Sequence, residues 1–318
     1  MKPTTVRRPD LAAGLTGPVG PLGTNFMGPE ILPVRLVGIK SDTFAKPVFS
    51  DKALTIDVDA LKRSAKAGYQ RLNYRTTSDT FTCQDEGLED GVDDVQGADV
   101  QDWFNAEQDC ANGVFLNLQR AAETSYSSYL FDAATLFVSY TADVGTEWST
   151  AATATPYNDV QDAVVKILGQ VGGVIPAGVE LCLAVSHKVF RNLEATADIQ
   201  KRLPGGTYNL KSTARQAVSE QEMADCLDIN RVFQGRARNG STDIWDDEYA
   251  LVFLRAVGQD MAIPQLGRTF VWQEDGAERY IVETYREEPR QTVVLVRNNV
   301  QRYAFNPACG YLLGNITA

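Results

Sequence analysis

The sequence has one histidine, His187, and five cysteines (Cys83, Cys110, Cys182, Cys226, Cys309) that nowhere form a C-x-x-C pair. That excludes the common zinc ligand sets, and the odd, widely spaced thiols argue against a disulfide framework. They are read as small buried apolar groups. No stretch reaches the roughly 18 to 20 consecutive apolar residues of a membrane helix, and "MKPTTVRRPDLAAGLTGPVGPLG" has no apolar core for a signal peptide. A soluble, cytosolic chain with no membrane partner is therefore expected. The paired glycines of "LPGGTYNL" and "QVGGV" lack either phosphate-binding pattern and are read as loops. In "DEGLEDGVDD", Gly87 and Gly91 fall at the wrong offsets for a calcium loop. No metal or cofactor site is expected.

What the chain does have is 318 residues, 44% of them hydrophobic, enough for a substantial core in one or two domains. Its net charge of −11 is unevenly spread. Residues 1–75 hold twelve Lys/Arg against six Asp/Glu, whereas residues 76–110 hold eleven acids and no base. Such an arm and belt are either complementary surfaces, one copy's arm lying on another's belt, or two solvated faces.

The first fifty residues are broken by Gly17-Pro18, Gly20-Pro21, Gly28-Pro29, Pro33 and Pro47 and lack helical or alternating periodicity. A segment of this kind must be clamped, by its own core or by neighbouring copies, and neighbours are the expected clamp. Deleting residues 1–28 is then expected to leave a soluble protein that assembles poorly. Residues 54–83 alternate briefly at Leu54, Ile56 and Val58 and have a basic, polar middle, as an extended hairpin or loop with little apolar content would.

A long helix is expected from an Asp99 cap. Asp102 follows three residues on, with a stripe of Trp103, Cys110, Val114, Leu118, Ala121, Ala122, Ser125 and Tyr129. At about 34 residues it would run roughly 50 Å. "ATLFVSY" reads as a strand, and a helix capped by Asn158 or Asp159 buries Val160, Val164, Ile167 and Leu168 and stops at Gly172 and Gly173. "VELCLAV" reads as a strand covered on both faces, and "SEQEMADCLDI" as a helix with a Ser219–Glu222 capping box. The strand "RVFQGRA" follows it. The last third is β-rich: "YALVFLRAV", "GRTFVWQ", "ERYIVETYRE" and "RQTVVLVRNNVQRYAF".

Candidate chemistry is sparse. His187 beside Ser186 suggests a base and a nucleophile, but adjacent helical residues diverge by about 100°, and no G-x-S-x-G elbow surrounds them. Ser186 reads better as the N-cap of a helix carrying Val189, Phe190 and Leu193. Asp243, Asp246, Asp247 and Glu248 have no convergent partner and read as a polar turn before a buried strand. No catalytic, cofactor-binding or metal-binding residue is assigned.

The order of these elements resembles the tailed-phage major capsid proteins of the Hong Kong 97 type. "YNDVQDAVVKILGQVGGVIPAGVELCLAVSHKVFRNLEATADIQKRL" is similar to that family's helix, apolar strand, short helix and basic step. "DIWDDEYALVFL", "QLGRTFVWQ" and "YIVETYREEPRQTVVLV" resemble the return to its peripheral domain, and "TCQDEGLEDGVDD" its acidic lead into the spine helix.

The resemblance implies an α+β fold with an N-terminal arm (1–45) and an extended loop (46–85). A peripheral domain (86–154 and 265–305) would carry the spine helix and long strands, and an α/β axial domain would comprise 155–264 and 306–318. It implies a non-enzymatic subunit forming homo-pentamers and hexamers of an icosahedral head that encloses double-stranded DNA without sequence-specific binding, assembled in the host cytoplasm. A separate scaffolding protein, a portal and decoration proteins are its implied partners. Lys62 and Lys66 with Asn298, Asn299 or Asn306 are the positions where the covalent cross-link of some members would fall. Two alternatives are a bacterial encapsulin-like nanocompartment shell and, in a different class, an acidic cytosolic hydrolase using His187 or the Asp243–Glu248 cluster.

Overall fold

The computed structural model describes residues 5–16, 26–47, 62, 76–93, 105–203, 218–274, 279–287 and 290–317. Two sheets organise them. The first grows from Val179–Ser186 (β7), where seven of eight residues are buried because layers cover both faces. β7 pairs antiparallel with Ala250–Ala256 (β11) and parallel with Arg231–Gly235 (β8). Beyond β11 lie Gly310–Gly314 (β15) and Thr141–Asp143 (β6), giving the order β6-β15-β11-β7-β8.

The parallel β7–β8 step needs a crossover. Helices His187–Ala195, Ala197–Arg202 and Glu220–Leu227 lie along it. The last begins with a complete Ser219–Glu222 capping box, as its sequence predicts. The helix Pro156–Val171 packs Val160, Ala163, Val164 and Ile167 into the same core, which also contains Leu183, Val252 and Ile316. It stops at Gly172, whose φ of 91° suits glycine.

The second sheet is built on Gln291–Tyr303 (β14), thirteen residues long. Val293 faces Gly91 on one side and Tyr285 on the other, and Val300 likewise faces Gln84 and Val271. One flank of β14 is therefore Gln84–Asp93 (β5), and the other carries Ile281–Glu287 (β13) and then Arg268–Trp272 (β12). Against this sheet lies the spine helix Ala106–Leu130 (α3), with Ala111, Val114, Phe115 and Leu118 packed on Val282, Val294 and Val296.

Several expectations are corrected here. α3 has 25 residues and is capped by the Asn105 side chain, which accepts from the Gln108 amide; Asp99, Asp102 and Trp103 lie outside the described residues. Its buried face runs through Ala111, Val114, Phe115, Leu118, Glu123, Tyr126 and Leu130, so the expected stripe drifts onto exposed positions at Ala121 and Ser125. Residues 134–140 form turns and bends, not a strand, because Asp132 accepts from the Ala134 and Thr135 amides and curls the chain after the helix. The Pro156 helix begins one residue after Thr155, and Asp159 instead accepts from the Trp148 indole at 2.9 Å.

The larger correction concerns the N-terminal segment, whose described parts are clamped by this chain itself. Val6–Arg7 (β1) pairs with β13 and Val34–Val37 (β2) with β12, so one segment lies against two strands of the second sheet. Between them, Pro9–Thr16 (α1) buries Leu11 and Leu15 against Phe115 and Tyr280. Met27, Ile31 and Leu32 enter a third cluster with Tyr126, Trp245 and Phe253. Apolar anchors scattered among glycines and prolines hide from a periodicity test, yet each finds a pocket. The described residues of this range, 5–16 and 26–28, therefore cover this chain's own core.

The hairpin expected over residues 54–83 is met only in part, because the partner of its described strand lies upstream of that range. Ser41–Pro47 (β3) pairs with Thr76–Thr82 (β4) from Ser41↔Thr82 to Pro47↔Thr76. Leu54, Ile56 and Val58 lie outside the described residues. Phe44 and Phe81 anchor the stem on Phe270, with the Phe81 and Phe270 rings stacked 4.4 Å apart.

Candidate assembly surface

The residues singled out for chemistry are near one another but not arranged for it. Ser186 is 1% exposed; its hydroxyl donates to Asp247 at 2.5 Å and accepts from the Val189 amide at 3.2 Å, so it is the helix cap. His187 Nδ1 lies 2.7 Å from the Gln234 side-chain amide rather than near Ser186. Asp243 is engaged by Arg238, Asp247 also by Lys188, and Asp246 accepts from the Glu248 amide. These are the bonds of turns and caps. Burial pushes the Cys182 and Cys309 thiols up to about 12, which leaves them unreactive at neutral pH. Among the described residues no group of three or more His, Cys, Asp or Glu converges as a metal site would need, and no helix is long and apolar enough to cross a membrane.

The surfaces have more character. β5 is an edge strand among the described residues, with Asp85, Glu89, Asp90 and Asp93 exposed along it. Charges of one sign on an edge discourage random strand pairing and leave a directional electrostatic patch. Glu86 is instead turned inward, bonded at 2.7 Å through each oxygen to Arg302. Beside this edge an open polar groove of about 450 Å³ runs between β5, β14 and the end of α3, lined by Gln84, Glu86, Ser125, Tyr129, Gln301 and Arg302. The hairpin stem is fixed next to it by Lys46, which pairs with Asp79 at 2.7 Å and donates to the Phe305 carbonyl.

Part of the charge complementarity seen in the sequence is satisfied inside one chain: Arg8 of the basic segment pairs with Glu107 of the acidic one at 2.9 Å. Asn298 and Asn299 are 5% and 2% exposed, and Asn299 donates to Glu274 at 3.3 Å. Lys66 lies outside the described residues.

Sequence reasoning missed the most unusual group, Glu123, in the middle of α3. It is 1% exposed, and its carboxylate accepts from the Met27 amide at 2.8 Å, the Gly28 amide at 3.1 and 3.2 Å, and the Trp245 indole at 2.7 Å. Gly28 has to be glycine here, since a Cβ would run into the Tyr126 ring and Glu123 Oε2. Burial pushes the carboxyl up to about 7, against the lowering effect of its three donors and of Arg302. The available signal was its position three residues before Tyr126 and seven before Leu130, on the buried face.

No family model and no curated protein matches the sequence. Solved structures do match, along nearly the whole chain. A phage-related protein from Bordetella bronchiseptica superposes with a TM-score of 0.70 at 16% identity, covering 98% of both chains. The capsid of a native GTA particle gives 0.57 at 13% identity, covering 94% of this chain and 92% of the other. The encapsulin of a holo-complex from Synechococcus elongatus gives 0.55 at 9% identity, covering 98% and 96%. With the two sheets, the spine helix and the hairpin stem in place, the chain has the Hong Kong 97-type capsid fold along nearly its whole length.

Proposed function

We propose that this chain is the structural subunit of a phage head: it assembles into pentamers and hexamers that tile an icosahedral shell around double-stranded DNA, and it catalyses no reaction. The observation that carries the reading is the match of nearly the whole chain, rather than one layer of it, to the capsid of a GTA particle and to a phage-related protein. Residues 86–154 with 265–305 would be the peripheral domain around α3 and β14, and residues 155–264 with 306–318 the axial domain around β7. Residues 1–45 would be the arm and 46–85 the extended loop. Scaffold, portal and decoration proteins would act as separate partners.

Subunits joined head to tail close into rings when the rotation permits, and rings tile a surface. The charges supply a contact for this. Residues 62–75 hold five bases and no acid, while β5 exposes Asp85, Glu89, Asp90 and Asp93. The basic loop of one copy would lie on the acidic edge of the next. A wall suited to DNA filling should not grip phosphate. In keeping with that, Lys188, Arg191, Arg202, Arg231, Arg236 and Arg238 are each already in an ion pair.

Raising salt from about 0.1 M to about 1 M shortens the screening length from about 10 Å to about 3 Å. Assembly, followed by light scattering with and without the cognate scaffold, is expected to weaken over that range and to fail on reversing Arg63 and Lys66 to Glu. Indifference to both would remove the charge contact.

A nanocompartment shell is the second reading, favoured by the encapsulin match. The contents of isolated particles separate the two: packaged DNA supports a phage head, and encapsulated enzyme supports a compartment.

A further inference from the structure

Glu123 joins three parts of the chain that are distant in sequence: the N-terminal segment at Met27 and Gly28, the middle of α3, and Trp245. A carboxylate buried to 1% exposure is costly unless it is compensated. Here every hydrogen-bonding partner is a neutral donor. Arg302 is the charged group facing it from β14, but that guanidinium is committed to Glu86 of β5 through two 2.7 Å bonds and lies over the Tyr126 ring. Tyr126, the other titratable neighbour, is bonded at 2.6 Å to Thr269 of β12, and burial raises its pKa further.

The junction also has a place for a proton. Gln119 stands one helical turn before Glu123, where side chains four apart are neighbours, and its buried Oε1 has no hydrogen-bond partner. A protonated Glu123 would donate its O–H to Gln119 Oε1 while its other oxygen keeps the amide and indole donors.

We propose that Glu123 is a proton-operated latch that docks residues 26–32 onto the spine helix, tight when the carboxyl takes a proton from solvent and loosened when it gives the proton back. The sign follows from linkage. The folded-state value of about 7 lies above the ordinary 4.5, so the stabilisation is complete below the lower value and disappears as pH rises through the higher one. The two values set the size of the effect. Between about pH 8.5 and about pH 5.5, the equilibrium for opening this segment should fall roughly 30-fold.

The test is hydrogen exchange by mass spectrometry on the full-length protein, following peptides that cover residues 26–32 and correcting for intrinsic exchange. Wild type should lose protection as pH rises, while Glu123→Gln should stay protected with no pH dependence. His187→Gln should keep the wild-type slope, which separates the latch from the chain's one histidine. A slope that persists in Glu123→Gln, or no slope in wild type, overturns the proposal. Should Glu123→Gln fail to fold, carbon-13 NMR of glutamate-labelled wild type decides it. One carboxyl titrating near neutrality supports the latch, and none titrating above about pH 5.5 refutes it.

Discussion

The five-stranded α/β layer and the N-terminal segment reach burial by opposite routes. In the layer, β7 and β11 are near-continuous apolar runs, and one face of the sheet is covered by amphipathic helices from the same part of the chain. Among its described residues the segment buries the apolar side chains Leu11, Leu15, Met27, Ile31 and Leu32, divided between two clusters built mainly by residues from elsewhere in the chain. It adds no core of its own. It is ordered by a host surface and, at one point, by a buried carboxylate. An element with its own core thus lies beside one that depends on the core of others.

Substitutions sharpen this contrast. Leu183→Ala, in a fully buried strand position, should cost about 3 to 5 kcal/mol and lower the whole unfolding transition seen by denaturant titration. Leu15→Ala, equally buried, should cost about 2 to 3 kcal/mol, read mainly as faster amide exchange in residues 9–16 with a smaller change in the global midpoint. If the two variants shifted the global transition equally, the segment would belong to the main cooperative unit and the contrast would be lost. Ser219→Ala removes one side of the capping box at an exposed helix start and should cost about 1 kcal/mol, confined to residues 220–227.

The same contrast explains which features were legible beforehand. Strands β7, β8, β11, β12, β13 and β14 announce themselves by β-branched and aromatic runs, and Ser186 and Ser219 by the cap rules, because those signals are local. Of the two clamps open for the first fifty residues, neighbouring copies were favoured, and the own-chain docking of residues 5–16 and 26–37 was missed because its anchors follow no period and depend on a surface made by distant residues. The stretch 134–140 was misread because apolar content alone does not report the Asp132 turn. Glu123 went unnoticed since an acid in a helix is usually solvated; only its phase relative to Tyr126 and Leu130 marks it as internal.

The consequence for assembly is specific. The described N-terminal residues are docked on their own chain by a few anchors, whereas the hairpin stem is held by the stacked Phe81 and Phe270 rings and the Lys46–Asp79 pair. Under the proposed assembly, the stem is the fixed base of the loop that would meet another copy.

The central claim is that this chain builds closed shells. Electron microscopy of the purified full-length protein, expressed with and without its scaffold partner, tests it most directly. The account predicts uniform closed particles with five-fold vertices, and a protein that stays monomeric at every concentration, salt and scaffold ratio would contradict it.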